Sequence, residues 1–405
     1  MDSPVGGYGK RRTKPTFLIA STVNARKEIY SAISSRLLQV KGSSVRILKC
    51  PSCGFPFMFS RIIRWNNSGT ISERMMPDLR AVLLEADLFN ALFARIEEKM
   101  GIPLSHLVFE AQRNAAKEVI DGVLNKFPFS LGRLGYNKKL VVRVFCTVAI
   151  VTGQSYAKPV RYRPGRGGEA LIRNPYNREL MAAIILGAFE SLEQKPFEHT
   201  WMEIDGDDVI AITVSEHKPE VSERLVVNLP PLKPGNLTYP RCRICGVPSE
   251  LSYLRWREND GVIMDTRRNV RMAFLDGYTP TTVFRELEKE LGEDIYPVII
   301  KAQKETTHRH LDELKLITRE DRLSPKGNRG IYEKILAPLP LWGQGNPVRL
   351  EQDHGYLQVA VENPYNEHLL AGHMAAIFEA VEGAESETTW EEPDPFTTVF
   401  TVHAK

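Results

Sequence analysis

Residues 24–38 place Ile29, Ile33 and Leu37 on one stripe with charges opposite, which predicts a helix that Gly42-Ser43-Ser44 ends. An extended run follows as far as Arg64-Trp65, and Asn66-Asn67-Ser68-Gly69 predicts a hairpin turn into residues 70–73. Arg80–Glu85 reads as a further strand. Asp87 predicts a helix start, with Phe89, Leu92, Phe93 and Ile96 apolar as far as Met100 and Gly101 as its stop. A second helix opens at Pro103 and extends to Phe127. The stretch 140–151 is so apolar that periodicity does not decide between buried helix and buried strand. Residues 158–163 and 169–173 predict strands around a basic, glycine-rich loop. Asn174-Pro175-Tyr176-Asn177 then starts a helix whose apolar face is Leu180, Ala183, Ile184 and Phe189. Residues 200–204 and 209–214 predict a hairpin around the acidic turn Asp205-Gly206-Asp207-Asp208. Pro219, Pro230, Pro231, Pro234 and Pro240 mark an extended linker.

After the linker the order of features begins again, at a shift of about 190 residues. Cys50-x-x-Cys53-Gly54 matches Cys242-x-x-Cys245-Gly246, and Arg64-Trp65 matches Arg255-Trp256. The strand from Arg80 matches the one from Arg271, and Ala111-Gln112 matches Ala302-Gln303. Asn174-Pro175-Tyr176-Asn177 recurs whole as Asn363-Pro364-Tyr365-Asn366, and Thr200-Trp201 as Thr389-Trp390. This pattern predicts an α+β protein made of two tandem copies of one unit related by a pseudo-twofold axis, each beginning with a cysteine hairpin. The expected parts are a basic arm and helix over 1–45, a first repeat over 46–216, a proline-rich linker over 217–238 and a second repeat over 239–405.

Each C-x-x-C-G turn reads as a zinc knuckle, because glycine lets backbone N–H groups turn toward a thiolate. One knuckle offers two sulfurs and a tetrahedral ion needs four, so the duplication predicts one zinc per chain shared by Cys50, Cys53, Cys242 and Cys245. Metal-free thiols, a redox pair and an Fe–S cluster are the other readings of these residues. With four of five cysteines in such pairs, a reducing compartment fits better than a disulfide framework, which makes the cytoplasm the expected location. Cys146, in an apolar run, reads as core.

A net charge of +3 with 25% charged residues sets up no global field for nucleic acid or membranes. The charge is uneven, however: residues 1–50 are basic and the last stretch acidic. No apolar run approaches the roughly 20 residues that span a bilayer, and no secretory signal is evident at the N-terminus.

The segment Ile172-Arg173-Asn174-Pro175-Tyr176-Asn177, followed by the small-residue apolar helix from Met181 to Glu190, resembles the closing part of the 4-vinyl-reductase, or hydrocarbon-binding, domain family. Residues 361–382 look similar in the second copy. The resemblance covers roughly the last 45 residues of each copy. The family's usual Gly-Asp-x-x-Cys ending is missing, since Gly206-Asp207 leads to no cysteine. The metal ligands of some sensors in that family therefore do not carry over. What the resemblance implies is an α+β module that holds a small apolar molecule, often in a sensory or accessory protein.

From these features we expect a zinc-stapled tandem protein that binds a small hydrophobic ligand, with no catalytic residues assigned. The pocket residues expected are Trp65, Trp201, Ile184 and Phe189 in the first copy, with Trp256 and Trp390 in the second; packing is the other role open to the tryptophans. The first copy is the better candidate for a competent site, because His373 intrudes on the matching helix of the second. An enzyme or enzyme subunit acting on a hydrophobic substrate is the second reading, and a nucleic-acid-associated zinc protein using the basic arm the third. A protein partner fits the first two. His308, His310 and His368 read as a solvated helix face and packing, the acidic turn 205–208 as a possible magnesium ligand set, and Arg161, Arg163 and Arg166 as possible phosphate contacts.

Overall fold

The computed structural model describes residues 33–41, 45–126, 128–216, 231–324 and 326–405. The basic arm, the start of the first predicted helix and the linker over 217–230 lie outside these residues; 33–41 are helical, with Ile33 and Leu37 buried. The first half runs α1 (Phe57–Ile62), β1 (Ile63–Trp65), β2 (Ile71–Glu73), β3 (Arg80–Glu85), α2 (Leu88–Met100), α3 (Ser105–Leu124), α4 (Asn137–Val151), β4 (Tyr156–Arg163), β5 (Gly167–Arg173), α5 (Arg178–Glu193), β6 (Phe197–Ile204) and β7 (Asp207–Val214). The second runs β8 (Leu254–Arg257), β9 (Val262–Asp265), β10 (Val270–Asp276), α6 (Thr279–Leu291), α7 (Ile295–Glu313), α8 (Arg319–Arg322), α9 (Gly327–Leu336), β11 (Asn346–Asp353), β12 (Tyr356–Glu362), α10 (Glu367–Glu382), β13 (Ser386–Asp394) and β14 (Thr397–Ala404).

The mixed α+β class is as expected; one local reading differs, and one that periodicity leaves open is decided. The run before Arg64 is the helix α1, not extended chain. Phe55 and Phe59, four residues apart, stack at 5.6 Å and are both buried, which needs a helical turn between them. Residues 140–151 also resolve as helix: Val142, Ala149 and Ile150 are buried while Leu140 and Val144 face out, a helical period. The helix starts read at Asn174 and Asn363 are instead capped by Asn177 and Asn366, which accept hydrogen bonds from Leu180 N (2.8 Å) and Leu369 N (2.9 Å).

Among the described residues these strands form three antiparallel sheets. A six-stranded sheet has the order β1-β2-β3-β10-β9-β8, three strands from each half. The other two have matching orders, β4-β5-β7-β6 and β11-β12-β14-β13. At the centre of the large sheet Leu83 pairs with Phe274, and the register is reciprocal about that pair: Ala81 faces Asp276, and Glu85 faces Met272. The contacts around it are exchanged in the same way. Leu83 N donates to Trp342 O and Phe274 N to Thr152 O, both at 2.8 Å. Trp65 Nε1 donates to Leu341 O (2.9 Å), and Trp256 Nε1 to Val151 O (2.8 Å). Such reciprocity is the form of an isologous, two-fold contact. Each half's hairpin therefore seats on the closing layer of the other half. Gly69 and Gly261 mark the closest approaches: both have φ near +70°, and a Cβ would strike Asn346 and the Ser155–Tyr156 backbone respectively.

Two arginines, Arg80 buried and Arg271 half-buried, secure the exchange. Arg80 donates to Asn363 O (2.8 Å), Pro364 O (2.8 Å) and Gly343 O (3.1 Å). Arg271 mirrors it on Asn174 O (2.6 Å), Gly153 O (3.1 Å) and Gln154 O (3.3 Å). Arg80→Ala removes the donors of three carbonyls in a buried seam and is expected to cost about 3–5 kcal/mol in urea unfolding. Arg163→Ala, at an exposed turn, should stay within about 0.5 kcal/mol.

Candidate metal centre and apolar cavity

The cysteines meet because the hairpins cross. In each knuckle the chain folds back through paired hydrogen bonds: Cys50 N to Phe55 O and Gly54 N to Cys50 O, then Cys242 N to Val247 O and Gly246 N to Cys242 O, all 2.8–2.9 Å. Gly54 and Gly246 turn at φ +76° and +77°, a left-handed region that suits glycine. Lys49 Nζ donates to Trp256 O (2.9 Å) and Arg241 to Trp65 O (3.1 Å), so each knuckle is also tied to the opposite strand. The result brings Cys50 Sγ to 3.6 Å from Cys242 Sγ and Cys53 Sγ to 3.4 Å from Cys245 Sγ, with all four sulfurs within 4.8 Å of one another. A disulfide needs about 2.05 Å. Four sulfurs about 2.3 Å from one tetrahedral ion would stand about 3.8 Å apart, so the set fits a single metal ion. Burial pushes the Cys53 and Cys245 thiols up, whereas the backbone N–H groups of Cys245 and Ile244 pull Cys242 down to about 6. Those inward N–H groups are what the glycine turns provide.

Below the cysteines, Phe55, Phe59, Trp65, Trp256 and Phe274 form a shared core. The ring of Phe55 meets that of Trp256 edge-on at 4.8 Å. Trp65 and Trp256 thus support the metal centre.

A cavity of about 820 Å³ opens in the first half, between α3, α4, α5 and the β4–β5–β7 face. Ile120, Val141, Phe145, Ile184, Ile185 and Phe189 are in its wall, and α1 reaches it through Met58, Arg61 and Ile62. Trp201 and Trp390 lie on the two closing sheets instead, Trp201 under the Arg178 guanidinium (4.7 Å) and Trp390 edge-on to His368 (5.3 Å). Among the polar lining groups, Arg161 is engaged with Glu169, its Nε 2.7 Å from Oε2. Glu73 is different. Its carboxylate has no hydrogen-bond or ion-pair partner among the described residues, and burial pushes it up to about 7.

The second half fills the corresponding space. On β5, Gly168 and Ala170 pair with Ile212 and Ile210; the same ladder positions on β12 hold Leu357 and Val359, paired with Val402 and Phe400. Val142, Ala149 and Ala188 line the cavity, and at the recurring shift their counterparts are Tyr332, Leu339 and Ile377. Every one of these larger residues is buried in a single packed cluster, and Tyr332 is anchored by its hydroxyl to Glu382 (3.1 Å). His373 stands where Ile184 does, half-buried and held neutral to about pH 4 by desolvation, with Nδ1 3.4 Å from Thr307 Oγ1.

No family model matches the chain, and no curated protein does. Among solved structures it is similar to the crystal structure of the phenol-responsive sensory domain of the transcription activator PoxR with phenol. That likeness has 14% identity, covers 37% of this chain and 85% of that one, and has a TM-score of 0.30.

The remaining polar candidates are engaged structurally. His308 Nε2 lies 2.8 Å from Glu379 Oε2, His310 contacts Glu85, and His368 stacks on Tyr296 at 3.8 Å. Asp207 is bracketed by Arg173 and Lys41, and Asp208 pairs with Arg178. Among the described residues the four cysteines are the one group with the geometry of a metal site, and no helix is long and apolar enough to cross a membrane. Glu73 was not singled out by the sequence, since its neighbours give a lone carboxylate no distinguishing context.

Proposed function

We propose that this chain is a zinc-stapled internal pseudo-dimer, built of two vinyl-reductase-like copies, whose first half binds one small, largely apolar molecule in a sensory or accessory role. The observation that carries the reading is the contrast between the halves. Gly168, Ala170, Ala149 and Ala188 leave space where Leu357, Val359, Leu339 and Ile377 fill it. Close packing is the rule in protein interiors, so an apolar space of this size points to an occupant. Its volume lies within the range of about 300–1,000 Å³ typical of small-molecule sites. Zinc is favoured over a multi-iron cluster because the sulfurs are drawn in around the volume of one ion.

The unpartnered Glu73 indicates a molecule with a hydrogen-bond donor, such as a hydroxyl or amine, at its otherwise apolar body. Helix α1 connects the two sites. Met58, Arg61 and Ile62 face the cavity while Phe59 is buried under the cysteines, and only three residues separate Cys53 from the start of the helix. An occupant that presses on α1 therefore bears on the metal staple and the sheet it crosses. Fluorescence titration with the apolar probe N-phenyl-1-naphthylamine tests the reading: saturable binding of one probe per chain is expected, and its lack would overturn it.

Glu73 also sets a pH dependence. Its native value is raised from an ordinary 4.5 to about 7. Between those values the native chain holds a proton that the unfolded chain has lost, so stability falls as pH rises through the window. In ligand-free protein, Glu73→Gln should remove that slope and stabilise by up to about 3 kcal/mol above pH 7, with little change below about pH 4.5. Urea unfolding across pH checks it.

A further inference from the structure

The outer rim of the cavity has a surface that the binding reading does not use. Phe129, Leu131, Leu134, Tyr136, Leu140 and Val144 are all exposed within one short segment, Tyr136 to 86%, Leu140 to 62% and Leu134 to 59%. Phe129, Leu140 and Val144 also line the cavity, so the patch and its mouth are continuous. The segment is compact: Leu134 N bonds Leu131 O, Asn137 N bonds Leu134 O, and Asn137 Nδ2 bonds Leu131 O.

The exposed charge around this patch is chiefly positive, although Asp121 holds Arg133 and Glu169 holds Arg161. From residue 122 to residue 168 the sequence contains no aspartate or glutamate but nine lysines and arginines. Lys139 and Arg143 are exposed on α4 beside the apolar side chains, and Arg163 and Arg166 are exposed on the β4–β5 turn. That turn meets the start of α4 at the buried Glu193, which takes Lys138 (2.6 Å) and the Tyr162 hydroxyl; Lys195 Nζ comes within 3.9 Å of the Cβ position of Gly165. In the second half the corresponding stretch carries Glu313, Glu320, Asp321, Glu333, Glu351 and Asp353. The excess of exposed lysine and arginine accompanies the cavity.

We propose that this rim docks onto an anionic lipid membrane, with the apolar side chains in the headgroup boundary and the basic residues over the phosphates. Exposed aromatic and aliphatic side chains ringed by lysine and arginine are the composition of interfacial binding. A second copy of this chain fits the patch poorly, because a two-fold contact would set net positive against net positive. Uptake of an apolar molecule from the bilayer through the adjoining mouth is the use this suggests, and that part rests on the binding reading above.

Co-sedimentation of the full chain with phosphatidylcholine vesicles, with and without phosphatidylglycerol, tests the docking. Binding to the anionic vesicles alone is expected, weakening with salt. Leu134→Ser with Tyr136→Ser, and separately Lys139→Glu with Arg143→Glu, should each reduce it at least about tenfold. These positions are exposed, so both variants should unfold in urea like the parent. No preference for phosphatidylglycerol would overturn the proposal. Undiminished binding by both variants would also overturn it, placing lipid binding on the basic N-terminal segment. A dimer in sedimentation velocity that the same variants abolish, without vesicle binding, would assign the patch to a second copy. The naphthylamine titration without vesicles separates the two readings: its success alongside failed docking rejects docking alone, and its failure alongside successful docking rejects the cavity reading alone.

Discussion

Replacing Cys53 or Cys245 with serine is expected to abolish metal binding at the proposed four-cysteine site and loosen the seam between the halves. Each half supplies two of four thiolates, so a single loss leaves no half with a complete site of its own. Structural zinc contributes about 10–16 kcal/mol of apparent binding free energy in zinc-finger peptides, which fold only with metal. Here the aromatic core beneath the knuckles stays in place, so a smaller loss is expected, about 3–5 kcal/mol, and chelation should reproduce it. Cys146→Ser is the control. That residue sits on α4 by the cavity, where burial pushes its thiol up to about 12, and it belongs to no cysteine cluster. It should keep one metal per chain and lose less than about 1.5 kcal/mol. Elemental analysis with urea unfolding, with and without chelator, reads both outcomes. A knuckle variant that keeps its metal and its stability would remove the shared staple from the account.

Importing the second half's side chains into the first will abolish ligand binding without unfolding the protein. Ala149→Leu with Ala188→Ile places at the cavity wall the residues that pack the second half. Each buried methylene adds about 0.8 kcal/mol where there is room for it, offset by local strain, so a net gain of about 1–3 kcal/mol is expected. Affinity for the naphthylamine probe should fall at least about a hundredfold, because the variant occupies the volume the probe needs. The reverse pair, Tyr332→Val with Leu339→Ala, hollows a packed core and should cost about 4–8 kcal/mol while leaving the first half's binding intact. Opposite signs on stability from mirror-image substitutions would be hard to obtain if the two halves were packed alike.

Much of the fold was legible in the sequence because its signals are local. Asn177 and Asn366 cap helices whose apolar faces repeat at helical spacing, and Gly54 and Gly246 announce turns that place N–H groups toward sulfur. Helix α4 was ambiguous because it is apolar on both faces, one buried and one at the cavity rim; the tertiary surroundings, not the pattern, distinguish them. The cysteines were readable as one set from ligand count. The exchange of hairpins between halves was not, since it depends on the register of β3 against β10, which no residue type encodes. For the same reason Trp65 and Trp256 gave no sign that they belong beneath the metal centre and Trp201 and Trp390 on the closing sheets. The contrast in side-chain size at Ala149 and Leu339, or Ala188 and Ile377, was present in the sequence. Its meaning needed a structure to show that these positions face one interior.

Native mass spectrometry of the protein and its Ala149→Leu/Ala188→Ile variant, both purified from the original host, reads metal and occupant together. One metal ion is expected on each, with one additional small apolar molecule on the parent that is missing from the variant. Identical masses for the retained species on both proteins, beyond the substitutions themselves, would contradict that expectation.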